Sequence, residues 1–205
     1  MHEITLLRHG RSAADDEGRF EGRYDSPLTE AGRGQARRLA STWKADGQRK
    51  YLSIIHSPLS RAMETAAIIA EAIGATMIED KNLIERDSGQ LAGLPKNEDT
   101  RKKYPIPAFT GPYDRIVNGT GESDIQLHAR AMLALQSLMD KPAGRILVVS
   151  HGGILNALIR VMLGMPIPTN NAGAFFHFGD TGYLDLVYDR ENHRCIVRAL
   201  TQMTK

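Results

Sequence analysis

The sequence predicts an α/β fold, a three-layer α/β/α sandwich with a mainly parallel central sheet. Strand-like and helix-like segments alternate along most of the chain, which is the pattern of parallel strands joined by crossover helices. The run Ile-Leu-Val-Val at 146–149 is apolar throughout, as expected of a strand covered on both faces. We therefore expect helices on both sides of the sheet.

Hydrophobic periodicity and turn residues predict five elements in the N-terminal half. They are strands at 4–8, 52–56 and 76–78 and helices at 29–46 and 60–73. Thr29 is a typical helix start and Gly47 a typical helix end, and Gly74 ends the second helix in the same way. The Ser57-Pro58 pair closes the second strand.

Between residues 82 and 121 the regular pattern fails, and only 97–103 has helical spacing. Glycines and prolines are scattered here among polar residues. A long irregular insertion in a compact domain is more often a binding element or lid than a linker. We expect a lid-like insertion at 82–121, and a disordered excursion is the alternative.

Periodicity returns in the C-terminal part. It predicts helices at 122–139 and 153–163, a central strand at 145–150, and antiparallel strands at 174–178, 183–188 and 195–200. No internal repeat or low-complexity tract is present. The length of 205 residues fits one domain spanning 1–205.

Composition excludes several classes of function. The chain is 41% hydrophobic and 24% charged, and no apolar stretch approaches the roughly 18 residues that a membrane span needs. The net charge of +2 is too small to indicate nucleic-acid binding. The single Cys195 forms neither an internal disulfide nor a thiolate metal site. With no secretory signal after Met1, we expect a cytoplasmic location.

Polar residues follow three of the predicted parallel strands. Arg8-His9-Gly10 ends the first, Ser57 to Arg61 follows the second, and Ser150-His151-Gly152-Gly153 follows the central strand. Carboxyl ends of parallel strands meet at one edge of a sheet, where ligands bind. The glycines let the backbone approach a ligand and leave helix N-terminal N–H groups free for an anion. Each residue alone is more often structural, but their convergence predicts a phosphate pocket.

The segments LLRHGRS, GRYDSPLTEAGRGQA, SPLSRAMETA, LIERDSGQLAG, GES and VVSHGGI resemble the histidine phosphatase superfamily. This group contains the cofactor-dependent phosphoglycerate mutases and many small phosphatases. The resemblance runs from Thr5 to about Leu163, in the family's order and at compatible spacings. It implies a phosphoenzyme mechanism on a phosphoglycerate mutase-like fold.

The resemblance also implies roles for five catalytic residues. His9 is the nucleophile, Arg8 and Arg61 bind the transferring phosphoryl group, His151 completes a positive pocket, and Glu85 matches the proton donor. Physical chemistry agrees, because neighbouring cations disfavour the imidazolium form of His9 and keep its nitrogen free to attack. The same cations neutralise the phosphoryl oxygens, so we expect no metal ion and no cofactor.

Substrate contacts are expected around this core. The candidates are Ser12, Asp15, Glu21, Gly22, Arg86, Lys96 and Gly152. Arg11 and Asp15 stand where the family often has Glu and Asn, so the first loop departs from the family in charge. The remaining histidines show no metal-ligand spacing.

The resemblance leaves mutase and phosphatase open. Leu83-Ile84-Glu85-Arg86 followed by Lys96 looks like the mutase loop, in which the Arg and Lys contact a phosphorylated acid. Against this, 96–121 is much shorter than the mutase insertion and has no adjacent arginine pair. We expect a phosphatase acting on a small phosphorylated metabolite. A mutase is the first alternative, and a non-catalytic phospholigand-binding protein is the second. The sequence is compatible with a monomer or a homodimer.

Overall fold

The computed structural model describes residues 1–47, 49–107, 111–117, 119–168 and 172–203. Its six strands are β1 (His2–Arg8), β2 (Ser53–His56), β3 (Met77–Glu79), β4 (Arg145–Ser150), β5 (Tyr183–Asp189) and β6 (Arg194–Thr201). Its helices are α1 (Ala13–Asp16), α2 (Glu30–Asp46), α3 (Ser60–Ile73), α4 (Glu98–Lys103), α5 (Asp124–Met139) and α6 (Gly152–Met162). Short 3₁₀ turns occupy Lys81–Leu83 and Gly89–Leu91.

The strands form one sheet in the order β3-β2-β4-β1-β5-β6. Strands β1 to β4 are mutually parallel, whereas β5 and β6 run antiparallel to their neighbours. This confirms the predicted mainly parallel sheet. In register, Arg8 pairs with Ser150 and His56 pairs with Val149. The three strands β1, β2 and β4 therefore end at the same edge.

Two apolar cores cover the two faces of the sheet. On one face, the buried Leu7, Leu147 and Val149 pack with α2 and α3. On the other face, Leu6 and Val148 pack with α5 and α6. Because successive residues of a strand point to opposite faces, the unbroken apolar run of β4 serves both cores. The predicted three-layer sandwich is confirmed.

Local sequence explains where the helices begin and end. The Thr29 side chain accepts a hydrogen bond from the backbone of Gly32, and Gly47 and Gly74 adopt the left-handed conformation that ends α2 and α3. Helix α5 begins at Asp124 rather than 122, because Ser123 is its N-cap. Helix α6 begins at Gly152, one residue earlier than predicted.

The predicted strand at 174–178 is wrong. Its aromatic residues favour a strand, but side chains instead bind its backbone groups. Asn156 accepts from the N–H of Phe176 and donates to its carbonyl, at 2.8 and 2.9 Å. Arg8 donates to the carbonyl of Phe178 at 3.2 Å. The segment is therefore held as an irregular strap over the catalytic edge of the sheet.

The insertion at 82–121 packs against the protein in its described part. Leu83, Leu91 and Val117 are buried, and α4 forms where helical spacing was predicted, with Asn97 as its N-cap. Residues 108–110 and 118 lie outside the described residues. The expectation that the insertion acts as a lid stays a prediction.

Candidate active site

Three residues that follow adjacent parallel strands lie side by side at the carboxyl edge. His9 follows β1, Ser57 follows β2, and His151 follows β4. The backbone N–H of His9 donates to Ser150 at 3.0 Å, and that of Ser57 donates to Val149 at 3.1 Å, so sheet pairing continues into the site. The rings of His9 and His151 are 5.0 Å apart, and both side chains are buried.

The hydrogen bonds of His9 define which nitrogen can react. Its Nδ1 lies 2.7 Å from the carbonyl oxygen of Gly10, and a carbonyl only accepts, so Nδ1 carries the proton. Its Nε2 accepts a hydrogen bond from Nε of Arg61 at 3.2 Å. The lone pair on Nε2 is thus directed at the guanidinium where an anion would bind.

Burial and positive charge keep both histidines neutral. The pKa of His9 is held well below its usual value of 6.5, first by burial and then by Arg8 and Arg61. The pKa of His151 is also lowered well below 6.5, first by burial and then by Arg61 and other neighbouring groups. This direction favours a neutral imidazole at His151, and its role in completing the pocket stays a prediction.

His151 has one free nitrogen. Its Nε2 lies 2.7 Å from Oγ of Ser57, while its buried Nδ1 has no hydrogen-bond partner among the described residues. Ser57 itself accepts from the backbone of Leu59 at 3.3 Å, so its hydroxyl proton is available to His151 Nε2. In this arrangement Nδ1 carries a proton and can donate it in a hydrogen bond to a bound anion.

Arg61 is fully buried in the first turn of α3. Besides His9, its guanidinium donates to the carbonyls of Gly22 and Tyr24, at 2.9 and 3.0 Å. Asp25 accepts from the N–H of Ser60 at 2.8 Å, which caps the helix that carries Arg61. The planar guanidinium of Arg61 therefore links the proposed nucleophile, His9, to the backbone of residues 22–24.

Arg8, the last residue of β1, directly precedes His9 and is partly exposed. Its Nη1 contacts Oδ1 of Asp180 at 3.1 Å, and its Nη2 contacts Oδ2 of Asp15 at 3.5 Å. Asp180 follows the 174–178 strap and was not singled out from the sequence, because nothing in its neighbourhood forms a motif. The two carboxylates hold Arg8 in place for an anion at His9.

Glu85 lies on the N-terminus of α6. Its Oε2 accepts from the N–H of Gly153 at 3.0 Å, and its Oε1 accepts from Ile154 at 3.0 Å and from Arg86 at 2.7 Å. These contacts fix the carboxyl group of Glu85 at the start of α6, the helix that directly follows His151. A Cβ on residue 153 would lie 2.5 Å from Oε1, which explains why glycine is needed there.

Arg130 supports the loop that carries Glu85. It donates to the carbonyls of Asn82, Ile84 and Glu85, at 2.5 to 3.3 Å. Its guanidinium also forms a two-point ion pair with the buried Glu122. Sequence reasoning missed Arg130, since an arginine in a helix is usually solvated.

Four of the predicted substrate-binding residues surround the two arginines. Ser12 caps α1 and lies 2.5 Å from Glu21, whose carboxylate is 3.5 Å from Nε of Arg61. Asp15 contacts Arg8, and the carbonyl of Gly22 binds Arg61. The structure thus connects these residues to the arginines.

The other predicted substrate-binding residues differ in position. Gly152 is the first residue of α6, directly after His151. Arg86 turns to the buried Asp124, with 3.0 Å between Nη1 and Oδ1. Lys96 is exposed and lies over the ring of Phe20 at 6.0 Å. The described contacts do not bring Arg86 or Lys96 to His9.

Among the described residues, no group of three or more His, Cys, Asp or Glu side chains could hold a metal ion. None of the described helices is long and apolar enough to cross a membrane.

The fold and the site define a phosphoryl-transfer class of protein. A neutral imidazole with an unprotonated nitrogen faces a buried guanidinium at the edge of a parallel sheet, and a second guanidinium and a carboxyl group lie on neighbouring segments. Residues 4–199 match the histidine phosphatase superfamily (branch 1), and the chain belongs to this superfamily.

Relatives with different activities resemble this chain. "Probable phosphoglycerate mutase GpmB" of Yersinia pestis (strain Pestoides F) is 37% identical over 174 residues, which cover 81% of this chain and 77% of the relative. Mycobacterial glucosyl-3-phosphoglycerate phosphatase with inorganic phosphate is 25% identical, with a TM-score of 0.77 over 97% and 96% of the two chains. Bacillus stearothermophilus YhfR is 27% identical, with a TM-score of 0.80 over 96% and 95%. These similarities leave two reactions open: hydrolysis of a phosphate ester, as in a phosphatase, and transfer of a phosphoryl group between positions of a substrate, as in a mutase.

Proposed function

We propose that this protein is a phosphatase that hydrolyses a small phosphomonoester through a phosphohistidine on His9. The observation that carries the proposal is the state of His9: Nδ1 is fixed by Gly10, and the unprotonated Nε2 faces Arg61. A protein that only bound phosphate would need the arginines but no neutral, oriented imidazole between them.

In the first step, Nε2 of His9 attacks phosphorus, and the bond from phosphorus to the ester oxygen breaks. Arg8, Arg61 and the free N–H of His151 stabilise the charge on the phosphoryl oxygens. The protonated carboxyl of Glu85 gives its proton to the leaving oxygen. Oε2 of Glu85 has a single N–H partner, which leaves room for that proton.

In the second step, water attacks the phosphohistidine, and the bond from phosphorus to Nε2 breaks. The Glu85 carboxylate accepts a proton from this water and returns to its protonated form. Inorganic phosphate then leaves the site. Neither step calls for a metal ion, so the proposed reaction continues in the presence of a chelator.

A mutase is the second candidate, because of the resemblance to the Yersinia protein. It must retain a bisphosphorylated intermediate, which requires a second group of cations. The residues expected to provide it, Arg86 and Lys96, are placed on Asp124 and over Phe20. This placement favours release of phosphate to water.

A paired assay tests the proposal. Phosphate release is measured from p-nitrophenyl phosphate, sugar phosphates, phosphoglycerates and nucleotides, beside a coupled assay that interconverts phosphoglycerates. We expect phosphate release to exceed interconversion for every substrate. Interconversion faster than hydrolysis would make the protein a mutase, and no turnover in either assay would leave it a binding protein.

A further inference from the structure

A groove between α5 and α6 adjoins Glu85, and its lining includes none of Arg8, His9, Arg61 and His151. Its cavity has a volume of about 320 Å³. Gly153, whose N–H binds Glu85, lies at one end of the groove, and Arg160 lies two helical turns further along the same face of α6. Seven residues of helix span about 10 Å, so the groove is as long as a small metabolite.

Arg160 is a buried cation with no acidic partner among the described residues. It is 7% exposed, and its one side-chain hydrogen bond among the described residues goes to the carbonyl of Ala174, at 2.6 Å. No Asp or Glu side chain of the described residues forms an ion pair with it. A buried charge without a counter-ion is unfavourable, and a bound anion would correct this.

The other charged and polar groups in the groove leave Arg160 as the available cation. Asp124 lines the groove but is already paired with Arg86 at 3.0 Å. His128 also lines it, and its Nδ1 is buried without a hydrogen-bond partner among the described residues. Burial and Arg160 lower the pKa of His128, so this ring is a neutral donor or acceptor.

The remaining walls of the groove are suited to a carbon skeleton. Leu127 and Ala157 form its apolar sides, and Phe175 is exposed beside it. Asn156 and Arg160 both bind the 174–178 strap, so the groove and the strap form one unit. A ligand that enters beside Glu85 would therefore meet an apolar path that ends at one positive charge.

We propose that the α5–α6 groove holds the leaving-group part of the substrate and that Arg160 binds a carboxylate on it. This inference rests on the proposed phosphatase function and names the substrate class: a phosphomonoester of a hydroxy acid. A single guanidinium suits a carboxylate better than a second phosphoryl group, whose charge is higher.

Matched substrates test the inference. The pairs are 3-phosphoglycerate with glycerol phosphate, and 6-phosphogluconate with glucitol 6-phosphate; within each pair, a carboxylate is replaced by a hydroxymethyl group. We expect the wild-type kcat/KM for the acid to exceed that for the alcohol by about tenfold or more in at least one pair. A ratio near one or below in both pairs overturns the inference.

Variants of Arg160 show whether this residue causes the higher kcat/KM for acids than for the matched alcohols. Arg160→Gln should bring the ratio close to one, whereas Arg160→Lys, which keeps the charge, should retain most of it. Arg38→Gln, at an exposed position on α2, is the matched control and should keep the wild-type ratio. An unchanged ratio in Arg160→Gln contradicts the inference. If Arg160→Gln does not fold, the inference is tested by the acid-to-alcohol ratios of the wild type and of Arg160→Lys. A ratio near one in Arg160→Lys would contradict the claim that the positive charge at residue 160 causes the preference.

The outcome for p-nitrophenyl phosphate separates the two proposals. Hydrolysis of this ester without any preference for acids would refute the carboxylate site and leave the phosphatase intact. Failure to hydrolyse any ester would refute the phosphatase and the inference with it.

Discussion

The catalytic edge and the α5–α6 groove lie on either side of Glu85, but they are built differently. At the edge, His9, Arg61 and His151 are buried, and each is fixed by a backbone carbonyl or a hydroxyl. In the groove, Arg160 is tied to one carbonyl of an irregular strap and lacks a counter-ion among the described residues. The register of the sheet thus positions the residues proposed to act on the phosphoryl group. The loops and helix faces of the groove are proposed to select the leaving group.

This comparison has a consequence for variants. Changes at the edge should reduce turnover of every phosphate ester, because they alter groups that contact the phosphoryl group. Changes in the groove should alter the relative rates of different esters.

Removal of the nucleophile should have the largest effect. We expect His9→Ala to reduce kcat for all esters by about 10⁴-fold or more, because no other group can form the covalent intermediate. Steady-state phosphate release measures this loss. His193→Asn is the control, since His193 is exposed in the β5–β6 turn with a φ of 48° that Asn tolerates. A His9→Ala protein within tenfold of wild type would refute the nucleophile assignment.

Replacement of the Arg61 guanidinium should have the second-largest effect on turnover. Arg61→Lys keeps the charge but cannot bind Nε2 of His9 and the carbonyls of Gly22 and Tyr24 together. We expect kcat/KM to fall by about 10³-fold for all substrates. Thermal unfolding should show a lower Tm, because buried carbonyls lose their donor. Near-normal turnover in Arg61→Lys would show that a positive charge at residue 61 is enough for catalysis, without the geometry of the guanidinium.

Loss of the proton donor should depend on the leaving group. We expect Glu85→Gln to slow hydrolysis of alkyl phosphates by about 10²-fold, and p-nitrophenyl phosphate by less than tenfold, because nitrophenolate leaves without a proton. Glu79→Gln, on the exposed edge strand β3, is the matched control. Equal losses for both esters would exclude Glu85 as the donor.

Arg130 should act through Glu85 as a positioning residue. Arg130→Lys removes several of its bonds to the 82–85 carbonyls and to Glu122, so we expect about a tenfold loss with alkyl phosphates. The loss with p-nitrophenyl phosphate should be smaller, as in Glu85→Gln. A purely structural role for Arg130 would instead lower both rates equally.

The two buried histidines, His9 and His151, should also make the stability of the fold depend on pH. The pKa values of His9 and His151 lie well below 6.5 in the folded state, so between pH 6.5 and 5 the unfolded chain binds more protons. The free energy of unfolding should therefore be highest above pH 6.5. It should fall on acidification by up to about 1.4 kcal/mol per pH unit for each ring.

Urea unfolding at several pH values measures this slope. His9→Asn should have a smaller slope than wild type, since one titrating ring is removed, and His193→Asn should not. A slope that is unchanged in His9→Asn would show that His9 is protonated in the folded protein.

The residues at the catalytic edge could be predicted from the sequence better than those of the α5–α6 groove. Arg8, His9 and His151 follow apolar strands directly, so strand order and register were enough to bring them together. The roles of Asp180 and Arg130 depend on tertiary contacts that no local pattern encodes. The aromatic run at 174–178 favours a strand, yet Asn156 and Arg8 bind its backbone instead. Arg160 resembled any other helix residue, and only the structure shows that it has no counter-ion among the described residues.

Direct trapping of the intermediate tests the central claim most directly. The wild-type protein is mixed with p-nitrophenyl phosphate, quenched rapidly at alkaline pH to preserve phosphohistidine, and digested for peptide mass spectrometry. We predict an acid-labile phosphoryl group on the peptide that contains His9, and none in His9→Ala. A phosphoryl group on another residue, or turnover with no labelled peptide, would contradict the account.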